Sequence, residues 1–215
     1  MPDRNTIVNE IKARRISAII RTTDQQLAAD AMQAAVDGGF RLVEFTMTTP
    51  GALELIGEFA RKPDLLVGAG TVLTIEQARA AVNAGARFLV SPVCDAEIIA
   101  EAHALNVAAI PGTFTATEMQ TAHRAGADFV KLFPAPADLP GYIASILGPL
   151  PHLRIYPTNG VTLENVHAVL NAGAAGVGFV KALFEPAWLA ERDFAAIRRR
   201  ASEISEHVAR IGGGE

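Results

Sequence analysis

Eight short apolar runs recur along the chain, and a segment of helical length follows each of them. The runs are Ile16–Arg21, Arg41–Met47, Leu65–Gly70, Phe88–Pro92, Val107–Gly112, Phe129–Pro134, Arg154–Gly160 and Gly176–Val180. The segments between them, such as Thr74–Ala84, Glu97–Leu105 and Leu163–Ala172, place apolar residues near the 3.6-residue helical period. Strict alternation of buried strand and amphipathic helix predicts a parallel sheet covered by helices. Eight such units in 215 residues predict an α/β fold, a (β/α)8 TIM barrel at the compact end of its range. The expectation is a single domain over 1–215, with a helix ahead of the first strand. An open doubly wound sheet is the competing arrangement. It would favour a G-x-G-x-x-G opening the first helix, which the sequence lacks.

An internal repeat sharpens the barrel reading. Gly39, Gly85, Gly126 and Gly173 each stand between a helical segment and a strand, where a glycine ends a helix with positive φ. Counting five residues on from each glycine reaches Glu44, Val90, Lys131 and Gly178, in the second, fourth, sixth and eighth expected strands. Alternate strands of such a barrel share interior layers. Equivalent segments therefore put Glu44 and Lys131 face to face across the axis, with Gly178 leaving space beside them.

Composition excludes several classes. A net charge of −4 and the lack of a basic stripe argue against a nucleic-acid partner. The arginines Arg192, Arg198, Arg199, Arg200 and Arg210 alternate with acids and read as a solvated helix face. Cys94 is the single cysteine, so no internal disulfide or multi-cysteine zinc site is expected. The five histidines show no metal-ligand spacing, and no metal or cofactor is expected. Met1 to Arg15 lacks the apolar core of a secretory signal, and no run is long enough to span a bilayer, so the expected setting is cytoplasmic.

Lys131 stands in Phe-Val-Lys-Leu-Phe, where burying an ammonium is costly unless it is paired or neutral. It reads either as one half of a structural ion pair with Glu44 or as an amine made nucleophilic by desolvation. Glu44 in the second reading moves protons for it. Gly68-Ala69-Gly70-Thr71, Pro111-Gly112-Thr113 and Pro157-Thr158-Asn159-Gly160 gather at the C-terminal strand ends, where barrel sites form. Arg21 ends the first strand and offers a carboxylate clamp, unless it is a plain surface arginine.

The sequence resembles the 2-keto-3-deoxy-6-phosphogluconate / 4-hydroxy-2-oxoglutarate aldolases, including their phosphogalactonate-cleaving branch. The resemblance runs from about Ile16 to about Phe184. It rests on Val-Glu-Phe-Thr (43–46), Val-Gly-Ala-Gly-Thr-Val-Leu (67–73), Ser-Pro (91–92), Ile-Pro-Gly-Thr (110–113), Thr-Ala-Thr-Glu (115–118), Phe-Val-Lys-Leu-Phe-Pro-Ala (129–135) and Pro-Thr-Asn-Gly-Val (157–161). It implies that Lys131 is the Schiff-base residue and Glu44 the general acid/base. It also implies a metal-independent lyase with no cofactor, a small 2-oxo acid as substrate, and a homotrimer. The substrate-binding residues expected with them are Arg21, Thr71, Pro92, Phe133, Thr158, Asn159, Gly160 and Lys181.

The chain departs from the family pattern at three places. Met47-Thr48-Thr49 stands where many members have Leu-Arg-Thr, and Arg21 matches the branch that moves this arginine to the first strand. Asn159-Gly160 replaces Gly-Gly, and Val180-Lys181 replaces the Gly-Ser of the phosphate loop. Lys181 is expected to bind the distal anion as a point charge, the competing view being a lysine directed to solvent. The expected reaction is cleavage of a 2-keto-3-deoxy-6-phospho sugar acid to pyruvate and glyceraldehyde 3-phosphate. The competing functions are an aldolase for 4-hydroxy-2-oxoglutarate or another unphosphorylated 2-oxo acid, a phosphosugar isomerase using Glu44 as base, and a non-catalytic sugar-acid-binding paralogue.

Overall fold

The computed structural model describes residues 3–211; residues 1–2 and 212–215 of the expected domain lie outside the described residues. Helix α1 (Arg4–Arg14) comes first, capped by the Asp3 side chain, which accepts from Thr6 N at 2.8 Å. There follow β1 (Ile16–Ile20), α2 (Gln25–Asp37), β2 (Leu42–Thr46), α3 (Ala52–Phe59), β3 (Leu66–Gly70), α4 (Ile75–Ala84), β4 (Phe88–Val90) and α5 (Ala96–Ala104). The second half holds β5 (Ala108–Ile110), β6 (Gly112–Thr113), α6 (Ala116–Arg124), β7 (Val130–Leu132), α7 (Leu139–Leu147), β8 (Ile155–Pro157), α8 (Val166–Asn171), β9 (Val177–Phe179), α9 (Pro186–Glu191) and α10 (Phe194–Ile211). No helix among the described residues is long and apolar enough to cross a membrane.

All eight expected strands form, but the fifth is broken. Pro111 has no N–H to give to a ladder, and it separates β5 from β6. The strands therefore form two curled parallel sheets. One has six strands in the order β5-β4-β3-β2-β1-β9 and the other has three in the order β6-β7-β8. An isolated bridge between Thr158 and Gly178 links the region after β8 to β9. The expected α/β fold is thus present, with a curled parallel sheet and covering helices.

Side chains alternate between two cores because successive strand residues point to opposite faces. Val43 and Phe45 of β2, Val130 and Leu132 of β7, and Val177 and Phe179 of β9 face the helices. Leu42, Phe88, Val90, Ile110, Phe129 and Tyr156 face inward and form a second cluster. Ile7, Val8 and Ile11 of α1 close that inner cluster from one end. The glycines of the internal repeat have the expected positive φ: 110° at Gly39, 122° at Gly85, 99° at Gly126 and 101° at Gly173.

Helix α10 buries Ala196, Ile197, Ala201, Ile204 and Val208. Arg200 is not part of a solvated face, contrary to the sequence reading. Its guanidinium lies 5.3 Å from the Trp188 ring and donates to Ala182 O at 3.3 Å.

Candidate active site

Inward positions near the C-terminal ends of the strands line a cavity of about 520 Å3. Eight of the ten expected site residues line it: Arg21, Glu44, Thr71, Lys131, Phe133, Thr158, Asn159 and Lys181. Two do not. Pro92 packs outside the cavity, its carbonyl filling the space that a Cβ at Gly112 would need. Gly160 turns the chain at φ 72°, and its carbonyl accepts from Asn165 Nδ2 at 2.8 Å. Both are therefore structural neighbours of the cavity and not part of its lining.

Strand register sets the two ionisable groups. Glu44 pairs with Ile19 on one side and Gly68 on the other. Lys131 pairs with Gly112 and with Tyr156. Both side chains are inward and buried, at 3% and 8% relative exposure. Gly70 makes room for the carboxylate, since a Cβ there would collide with Glu44 Oε1. Lys131 Nζ lies 4.9 Å from the centre of the Phe133 ring, so an aromatic face shields one side of the amine.

The electrostatics follow from this burial. Desolvation pushes Glu44 up to about 7, against the pull of the Lys131 and Arg21 charges. Desolvation also holds Lys131 below its ordinary value; Glu44 opposes this and Arg21 adds to it. Lys131 makes no ion pair among the described residues, so the closed salt bridge considered from sequence is not formed. A lysine of lowered pKa is a nucleophile toward a ketone. A carboxyl group poised near neutrality suits proton transfer in both directions.

Arg21 spans the mouth of the cavity. It reaches from the end of β1 over β2 to Thr71, donating from Nη2 to Oγ1 at 3.1 Å. Thr71 has φ 59°, which turns the chain just past β3. Thr46 also lines the cavity, and its hydroxyl lies 3.1 Å from those of Thr48 and Thr49. Beyond β9, Val180 closes a turn by accepting from Phe184 N at 2.8 Å. That turn carries Lys181 exposed at the rim. Val180, Phe184, Pro186 and Leu189 give the same rim an apolar wall.

Sequence reasoning missed Ile19, Thr46 and this apolar wall. The period-two alternation of β1 and β2 carried the signal for Ile19 and Thr46, which share the inward side with Ser17 and Glu44. No sequence signal predicted that α9 folds back over the cavity. Among the described residues no three His, Cys, Asp or Glu side chains converge as a metal site.

Comparison with known proteins agrees with this geometry. The family described as KDPG and KHG aldolase matches residues 7–200. The chain is 36% identical over 180 residues to the 2-dehydro-3-deoxy-6-phosphogalactonate aldolase of Escherichia coli, covering 81% of this chain and 87% of that one. It is 33% identical over 210 residues to the 2-dehydro-3-deoxy-phosphogluconate aldolase of Pseudomonas aeruginosa, covering 95% and 93%. A native KDPGal structure superposes with a TM-score of 0.82 at 30% identity, covering 92% of this chain and 95% of that one. A KDPG aldolase from Legionella pneumophila, solved with pyruvate captured as a covalent carbinolamine, superposes with a TM-score of 0.83 at 26% identity, covering 93% and 98%. With the family matched over most of its length and relatives above 30% identity covering nearly all of it, the chain belongs to the KDPG and KHG aldolase family of carbon–carbon lyases.

Proposed function

We propose that this protein is a class I aldolase that reversibly cleaves a 2-keto-3-deoxy-6-phospho sugar acid to pyruvate and glyceraldehyde 3-phosphate. One observation carries the reading: a buried lysine and a buried glutamate line one cavity, and burial moves the proton affinities of both toward neutrality. Neutral Lys131 attacks the C2 ketone, and the carbinolamine loses water to give a protonated imine. A base, for which Glu44 is placed, takes the C4 hydroxyl proton while the C3–C4 bond breaks. The bonding pair flows into the iminium nitrogen and leaves an enamine. Glu44 returns a proton to C3, and hydrolysis of the imine frees pyruvate. Arg21, Thr71, Phe133, Thr158 and Asn159 bind the 2-oxo acid around this centre. Borohydride reduction in the presence of pyruvate tests the assignment: it should label Lys131, and labelling at Lys181 refutes it.

The rim beyond β9 favours a second reading of the substrate. Its wall is apolar and Lys181 stands exposed, which suits a weakly held distal anion. Cleavage of 4-hydroxy-2-oxoglutarate or another unphosphorylated 2-oxo acid fits such a rim. An assay over 2-oxo-3-deoxy acids with and without a terminal phosphate decides between them.

The two curled sheets are proposed to be arcs of one (β/α)8 barrel, continuous through Pro111 and through the Thr158–Gly178 bridge, in a single domain. A homotrimer in the cytoplasm is proposed for the assembly. Leu73, Val93 and Phe114 support association, being exposed at 49%, 53% and 36% just after three successive strand positions. Light scattering on the purified protein reads the assembly directly.

A further inference from the structure

Beneath the active-site cavity lies a second, small one. Ser17, Glu44, Tyr156 and Thr158 line it together with the apolar side chains of Leu42, Phe88, Val90 and Ile110. Glu44 and Thr158 line both cavities and so form the partition between them. The hydroxyls of Ser17 and Tyr156 are buried, at 1% and 3% residue exposure, and adjoin each other, with neither in a hydrogen bond of normal length to a protein group. The free space for a water-sized sphere is about 10 Å3. That is the threshold for one molecule, which also needs two to four polar partners.

Glycines let the side chains around this space approach β9 closely. The inward positions of β9 and its entry are glycines. A Cβ at Gly176 would collide with the Tyr156 ring, and one at Gly178 would collide with Ile19 Cδ1 at 2.5 Å and press on Thr158 Cγ2 at 2.9 Å and Ser17 Oγ at 3.3 Å. Register brings Ser17 level with Gly178, and Gly178 bridges to Thr158. Phenylalanine at 156 and alanine at 17 would seal the floor with no polar atom to satisfy. Two adjoining hydroxyls without a bond of normal length, beside a carboxylate, leave polar atoms that one bridging molecule can satisfy, since buried polar groups in folded proteins find a partner. Glu44 has no hydrogen bond from any protein group among the described residues, and the cavity floor is where one can be supplied.

We infer that one ordered water occupies this cavity and hydrogen-bonds to Ser17 Oγ, Tyr156 OH and the Glu44 carboxylate, making Ser17 and Tyr156 positioning residues for Glu44. The inference rests on the aldolase reading for its kinetic consequence, but not for the water itself. A donor beneath the carboxylate favours its ionised form. It opposes the desolvation that raises Glu44, and it leaves the upper oxygen free for the substrate.

The test compares Tyr156→Phe and Ser17→Ala with the wild type. In each variant the limb of the kcat–pH profile set by Glu44 should move to higher pH by about 0.5–1 unit. Activity at neutral pH should fall roughly three- to tenfold, with KM and the stoichiometry of pyruvate trapping at Lys131 kept. A merely structural role would lower activity equally at every pH, and an unmoved limb in both variants overturns the positioning role. A high-resolution crystal structure of the wild type tests the water without any variant. Density in the cavity within hydrogen-bond distance of all three oxygens supports it. An empty cavity, or a direct bond from Tyr156 OH to Glu44, overturns it. Loss of borohydride trapping in the wild type breaks the aldolase reading alone, because the density is judged separately.

Discussion

Lys131 and Glu44 stand within β7 and β2, with hydrogen-bonded strands on both sides of each. Lys181 stands in the turn between β9 and α9, exposed, at the other end of the same cavity. The first pair cannot shift without moving a sheet, and burial is the largest influence on the proton affinity of both groups. The lysine at the rim keeps an aqueous environment and a flexible stem. On the proposed reading the difference separates chemistry from selectivity: one end is suited to a fixed reaction, while the other can change substrate by changing a loop. The rim turn of this chain carries Val180 and the cation Lys181, while the buried pair lies within the strands.

The sharpest way to break the comparison is Lys131→Ala. Cleavage should drop to background and borohydride labelling with pyruvate should vanish, as read by mass spectrometry. Residual trapping elsewhere would move the chemistry off the strand. Glu44→Gln comes next, with kcat expected to fall by about 10²–10⁴-fold. The same variant reports on burial through stability. Glu44 has a raised pKa in the folded protein, so the wild type is favoured at low pH and loses that advantage as pH rises from about 4.5 to about 7. Glu44→Gln should therefore match the wild type near pH 4.5 and exceed it by up to about 3 kcal/mol above pH 7 in denaturant melts. An equal gain at every pH would mean that the carboxylate is not buried in solution.

Arg21→Ala probes the border between the two regions, since its guanidinium reaches Thr71 yet stays exposed. Pyruvate affinity, measured by titrating imine formation, should weaken by about 1.5 kcal/mol, roughly tenfold. Unchanged affinity excludes the carboxylate clamp. The smallest effect is expected from Lys181→Ala. KM for a phosphorylated substrate should rise by about two- to fivefold, in keeping with an exposed charge pair. Trapping at Lys131 should be untouched. Equal effects on phosphorylated and unphosphorylated substrates would remove the anion contact.

Much of this was legible in the chain. The glycine-anchored repeat places Glu44 and Lys131 on equivalent inward positions from pattern alone, because strand alternation has a fixed period of two. The repeat could not show that Val90 and Gly178, its other two members, serve packing and space, since that depends on what lies opposite. Pro92 looked like a site residue by its motif, and its carbonyl lies against Gly112, beside the cavity lining. Arg200 looked solvated by its neighbours in sequence, yet it stacks on Trp188.

Sequence by itself determined the strands, the helix ends and which residues face inward, for these depend on local pattern and on residues a few positions apart. The tertiary structure decided what distance in the chain conceals. It broke the fifth strand at Pro111, brought α9 back to wall the cavity, and buried the adjoining hydroxyls of Ser17 and Tyr156 near Glu44. The physical reason is that burial, and with it the cost of a charge or a lone hydroxyl, is set by side chains from strands remote in sequence. Pattern can show that a lysine is inside, but only the packed structure shows what surrounds it.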